Sequence, residues 1–80
     1  MRIILNGLCT KVLCELLQYI DELDTFSEIT SFDSGTYSLE FDIPKQIHFE
    51  IDEDKIFMAR ENYDYYLNIS RKDFAELIIR

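Results

Sequence analysis

Tryptophan is absent from this chain of 80 residues, proline occurs once and glycine twice. So little glycine and proline leaves no material for a flexible linker, and no repeat or low-complexity tract is visible. The chain reads as a single compact domain over residues 1–80. Histidine occurs once and cysteine twice, with no CxxC pair, so no credible zinc site can be assembled. Cys9 and Cys14 lie about 140° apart on a helical wheel and cannot bond to each other without unwinding it. Cys9 falls on the apolar side and reads as core; Cys14 falls on the polar side, an accessible thiol either reactive or merely tolerated. Unpaired cysteines suit a reducing compartment, so the expected location is the cytoplasm.

Long hydrophobic runs are lacking as well. "RIIL" is far too short for a signal sequence or a membrane span, and Leu8 to Leu23 is broken by Lys11, Glu15 and Gln18. Basic residues are scarce: 8 against 16 acids give a formal net charge of −8. The imbalance is regional. Residues 1–20 and 65–80 each carry +1, whereas residues 21–64 carry −10, from thirteen acids and three bases. That excess speaks against direct phosphate binding and against anionic membrane surfaces. It suits a basic partner, or solubility alone.

Catalytic signatures are missing too. There is no glycine-rich phosphate loop, nucleophile elbow or kinase motif. "DEDK" at 52–55 does not open a calcium loop, because Phe57 and Tyr63 stand where a glycine and a glutamate are needed. The lone His48 lies on the polar face of a strand among acids, a setting for a solvated side chain rather than a catalyst. The expectation is a protein without enzymatic activity, cofactor or metal.

What the chain does contain, 48% hydrophobic and 14% aromatic residues, is the material of a folded globule. Residues 8–23 place Leu8, Cys9, Val12, Leu13, Leu16, Leu17, Tyr19, Ile20 and Leu23 on one half of a helical wheel, with Asn6 or Thr10 available as cap. Arg2 to Leu5 reads as a short strand, or else as the first turn of that helix. The period then changes to two. Phe26–Phe32 ("FSEITSF") precedes a turn at "DSG", and "TYSLEFDI" alternates until Pro44. "IHFEID", Lys55–Asn62 and Tyr63–Ile69 supply further strands. Ser70 with Asp73 resembles a capping box before a short helix over 71–80, although Arg71 and Lys72 sit unfavourably at its positive end. The predicted fold is α+β: an antiparallel β-meander of four to five strands, an N-terminal amphipathic helix on one face and a short C-terminal helix.

Side chains opposite each other in a sheet share a face, so parity constrains the register. A loop at Pro44–Gln46 pairs Phe41 with Phe49, which sets Asp42 opposite His48 and Glu40 opposite Glu50. A tight turn at Glu53-Asp54 pairs Ile51 with Ile56, Phe49 with Met58 and Glu50 with Phe57. A turn at Glu61-Asn62 pairs Met58 with Tyr65, Phe57 with Tyr66 and Ala59 with Asp64. Tyr63 and Tyr65 then point to the core, and Tyr66 points outward beside Phe57. This outward aromatic pair among carboxylates is either a binding surface or ordinary core, if the C-terminal helix covers it.

Carboxylates at i and i+2 of a strand recur about every 6.8 Å, close to the phosphate repeat of a nucleic-acid backbone. Rows such as Glu40/Asp42 and Glu50/Asp52 can imitate one. The partner-binding residues are therefore expected to be Glu40, Asp42, Glu50, Asp52, Glu53, Asp54, Phe57, Asp64 and Tyr66. The partner would be a basic protein, a nucleic-acid-binding enzyme or complex, and the chain its inhibitor. In size and composition the chain resembles phage-encoded anti-restriction and anti-CRISPR inhibitors, and also bacterial toxin-immunity proteins. No motif matches residue by residue, so no position takes its role from them. The alternative is an accessory or homo-oligomeric module, a homodimer formed through an open sheet edge or through Phe57 and Tyr66.

Overall fold

A computed structural model describes residues 1–62 and 65–80. Its elements run β1 (Arg2–Leu8), α1 (Thr10–Leu23), β2 (Ser27–Asp33), β3 (Thr36–Asp42), β4 (Ile47–Ile51), β5 (Lys55–Arg60), β6 (Tyr66–Ser70) and β7 (Glu76–Ile79), with a 3-10 turn at Arg71–Asp73. The class is α+β, as predicted. The strands number seven among the described residues and form two antiparallel sheets, in orders β2-β3-β1-β7 and β4-β5-β6, not one short meander.

β1 explains the division. Ile3, Ile4 and Leu5 are all buried, so this strand is covered on both faces and belongs in the middle of a sheet. It pairs with β3 on one side, Ile3 with Phe41 and Leu5 with Leu39, and β2 takes the other side of β3. Both edges of β3 are thereby used, and β4 cannot pair with it. The predicted pairs Asp42–His48 and Glu40–Glu50 do not form; Glu40 lies opposite Glu28 instead. At the crossing, Ile43 N–H donates to Met1 O (2.8 Å) and Ile47 N–H donates to Pro44 O (3.0 Å), a turn that leads into the second sheet.

The other free edge of β1 takes up the C-terminal segment. Ile3, Ile4 and Leu5 pair with Ile79, Ile78 and Leu77, so two short apolar runs match each other in reverse order. The predicted helix over 71–80 therefore stops after a single turn. Ser70 does accept from Lys72 N–H at 3.3 Å as a cap, but Phe74 is already extended. Branched side chains with a ready strand partner, and two cations at the positive helix end, favour this outcome.

α1 begins two residues later than predicted, because Leu8 is still strand. Its N-cap is Cys9, with no side-chain cap. Asn6 is committed elsewhere: its amide donates to Glu76 Oε1 (2.7 Å) and accepts from Ser38 Oγ (2.6 Å). Cys9 is exposed rather than core, as is Cys14. Val12, Leu13, Leu16, Tyr19 and Ile20 fill the core with Ile3, Leu5, Leu39 and Phe41 of the first sheet and Ile47, Ile56, Met58 and Ile69 of the second.

In the second sheet the β4–β5 register is as predicted, Ile51 with Ile56, Phe49 with Met58 and Glu50 with Phe57. Between β5 and β6 it is displaced by two residues: Ala59 faces Tyr66, Phe57 faces Asn68 and Met58 faces Leu67. The connection is longer than two residues, with Arg60 N–H donating to Tyr65 O at 3.1 Å. A displacement of two preserves which side chains share a face. The assignments of Tyr63 to the core and of Asp64 opposite Ala59 fall on residues outside those described.

Candidate functional site

The face of β4-β5-β6 turned away from the core carries His48, Glu50, Phe57, Ala59, Tyr66 and Asn68. Phe57 and Tyr66 rings lie 6.0 Å apart, and His48 meets Phe57 edge-on at 6.3 Å. Ala59, between His48 and Tyr66 in register, is fully buried, whereas Tyr66 is 60% exposed. The C-terminal segment belongs to the other sheet, so no helix covers these rings. His48 Nε2 lies 3.1 Å from Glu50 Oε1, and becomes its ion-pair partner when protonated. Phe57, Tyr66 and Glu50 are thus brought together on one face, with His48 as a fourth member.

The acidic tip lies between β4 and β5. Asp52 Oδ1 accepts from Asp54 N–H (2.8 Å) and Lys55 N–H (3.1 Å), and Asp52 N–H donates to Lys55 O (3.0 Å). Asp52 therefore shapes the turn as well as charging it, a local role for which aspartate two residues before a backbone donor is the signal. Glu53 and Asp54 are exposed beside it. Arg71 N–H donates to Asp54 O at 2.7 Å and ties the tip to the end of β6.

Glu40 and Asp42 belong to the other sheet, and the structure does not join them to Glu50 and Asp52 in one lattice. Arg2 holds both. Its Nη1 donates to Glu40 Oε2 (3.1 Å), its Nε donates to Asp42 Oδ1 (2.8 Å), and its guanidinium covers the Phe26 ring at 4.4 Å. The hydrogen bond from Arg2 keeps the Asp42 carboxyl below its ordinary pKa, and the same bond raises that of Arg2. Nothing local in the sequence announces this clamp, since its members are 38 and 40 residues apart.

An open cleft of about 640 Å³ adjoins the end of α1, lined by Glu22, Gln46, Arg60, Glu61 and Asn62 among others. Arg60 Nη2 is 3.7 Å from Glu22 Oε2, and its guanidinium stands 5.0 Å over the Tyr65 ring. Tyr65 stacks on Tyr19 at 4.8 Å and 6°. The Tyr19 hydroxyl is buried without a hydrogen-bond partner among the described residues. Burial pushes its pKa up, Tyr65 adds to the rise and Arg60 opposes it. Pattern assigned Tyr19 and Tyr65 to the core and Glu61-Asn62 to a turn but none of these residues to a site, because the cleft forms between elements distant in sequence.

Among the described residues no helix is long and apolar enough to cross a membrane. No protein-family model, curated protein or solved structure matches this chain, so its candidate site rests on its own geometry.

Proposed function

We propose that the protein binds a basic surface of another protein through the outward face of β4-β5-β6 and its acidic tip, and acts there as a non-catalytic inhibitor. A cytoplasmic enzyme or complex that handles nucleic acid is the partner class favoured by the charge. The observation that carries this reading is the Tyr66 ring, 60% exposed, on the same face as half-buried Phe57 and exposed Glu50. Exposed aromatics supply binding energy when a partner desolvates them. Surrounding carboxylates speed encounter with a cationic cleft. Glu50, Glu53 and Asp54 are the principal acids of the surface. Glu40 and Asp42 take a smaller part, because a partner's cation must compete there with Arg2.

The test begins with the basic protein captured from host extract at low salt, then purified. Its association rate with the wild-type chain should fall steeply as salt rises. Tyr66→Ala should speed dissociation by about 30-fold, as for loss of a hot-spot side chain worth about 2 kcal/mol. Glu50→Lys with Glu53→Lys should slow association. A rate indifferent to salt, or affinity unchanged in both variants, removes this face from the site.

A further inference from the structure

β2 is an edge strand, and all seven of its residues are exposed. It is longer than the other three edge strands, β4, β6 and β7, and contains no lysine, arginine or proline, the residues that usually protect a free edge. Ile29 and Phe32 are exposed apolar side chains along it, and Phe26, just before it, is a third. Asp42 N–H donates to Phe26 O at 3.2 Å, so Phe26, and by alternation Glu28 and Thr30, turn their backbone groups towards β3. Ser27, Ile29 and Ser31 turn theirs to the open side.

Residues 26–32 read Phe-Ser-Glu-Ile-Thr-Ser-Phe, almost the same in both directions about Ile29. Antiparallel pairing with an identical strand, about a two-fold axis at Ile29, sets isoleucine against isoleucine. It sets Ser27 against Ser31, and Glu28 meets Thr30, so no like charges are opposed, while Phe26 and Phe32 flank the regular pairing at either end. The inner face of the sheet points the same way. Leu5, Leu39 and Ile29 are register partners across three strands. The first two are fully buried and Ile29 is 44% exposed, so an apolar row runs off the edge of the sheet.

We propose that the β2 edge docks a second copy of this chain, joining two four-stranded sheets into one continuous antiparallel sheet. The inward-facing row then runs from Leu5 through Leu39 and Ile29 into its counterpart without a gap. The backbone groups of Ser27, Ile29 and Ser31 exchange about six hydrogen bonds with the second copy. The β2–β3 register shift lies between Ser31 and Asp33, at the end of the segment, and leaves Ser27–Ser31 regular. The two copies each carry −8, so association should strengthen with salt, the opposite of binding to a basic partner.

Sedimentation equilibrium should find twice the chain mass, with a dimer fraction that grows with concentration and with salt. Ile29→Lys should return the mass to one chain while circular dichroism stays unchanged. With Cys9→Ser and Cys14→Ser as background, Ile29→Cys should form a disulfide with its own copy. Ser27→Cys should bond only when mixed with Ser31→Cys. A monomer at every concentration up to about 1 mM overturns the proposal. So does a dimer that keeps its mass with Ile29→Lys and fails to cross-link at position 29. Protection of β2 amides only by a different protein assigns the edge to that protein and likewise overturns it.

Discussion

At the scale of single residues, Tyr19 carries the sharpest consequence. Its ring is used twice, in the core and in the stack on Tyr65, but its hydroxyl is buried with nothing to bond among the described residues. An unmet polar group of this kind costs about 1–3 kcal/mol. Tyr19→Phe keeps the ring and should raise unfolding free energy in urea by about 1 kcal/mol; a loss of similar size would mean that the hydroxyl is satisfied. The pH response follows from the same burial. The folded-state pKa of Tyr19 is raised above its ordinary 10.0, so its contribution is intact below about pH 10 and is lost as pH climbs towards the folded value. The wild-type chain should lose stability more steeply above pH 10 than Tyr19→Phe does. Pattern reading assigned Tyr19 to the core, because one half of a helical wheel is a local property. It had no access to the hydroxyl, whose surroundings include Arg60 of β5 and Tyr65 just before β6.

At the scale of elements, Gly7 decides how β1 meets the C-terminal segment. It has φ +83 and sits where the β1–β3 register shifts, and Ala75 N–H donates to Asn6 O at 2.8 Å beside it. A Cβ at this position would stand 2.7 Å from Ala75 Cβ. Gly35 has φ +76 in the β2–β3 turn with open space around it. Gly35→Ala should therefore cost only the left-handed backbone, about 1–2 kcal/mol. Gly7→Ala should cost that and the overlap, about 3 kcal/mol or more in total. Equal losses in chemical denaturation would show that β7 yields easily. The strands themselves were legible, because alternation in "TYSLEF" and "IHFEI" depends only on neighbours. Their partners were not. Parity places Glu40 outward but cannot say whether Glu28 or Glu50 lies opposite, and the strand that follows β3 in sequence was the wrong choice. A usable hint existed in the matched runs "IIL" and "LII": contiguous apolar residues mark a strand covered on both faces, and β1 is the middle strand that pairs with β7.

At the scale of the whole molecule, the acids dominate but do not form one sheet face. Glu28, Glu40, Asp42 and Glu76 lie outward on the four-stranded sheet, Glu50 on the other, and Asp52, Glu53 and Asp54 at its tip. Arg2 relieves only Glu40 and Asp42. With −8 overall, self-repulsion should exceed these few attractions. Raising salt from about 0.02 M to roughly 0.5 M should lift Tm by a few degrees, and a fall would mean that the Arg2 and Arg60 pairs outweigh the repulsion. The aromatic half of the candidate site was visible in advance, since Phe57 and Tyr66 share a face under any register of the same parity. The Arg2 clamp and the division of the acids were not, because both depend on which strand lies beside β3. The pairing of β1 with β7 also sets an order of events during biosynthesis. β1 leaves the ribosome early, yet one of its flanks stays bare until residues 76–79 have followed through the exit tunnel. The nascent protein must therefore shelter a strand of Ile3, Ile4 and Leu5 until residues 76–79 are free to pair, and synthesis interrupted before them would release a chain with that strand unguarded.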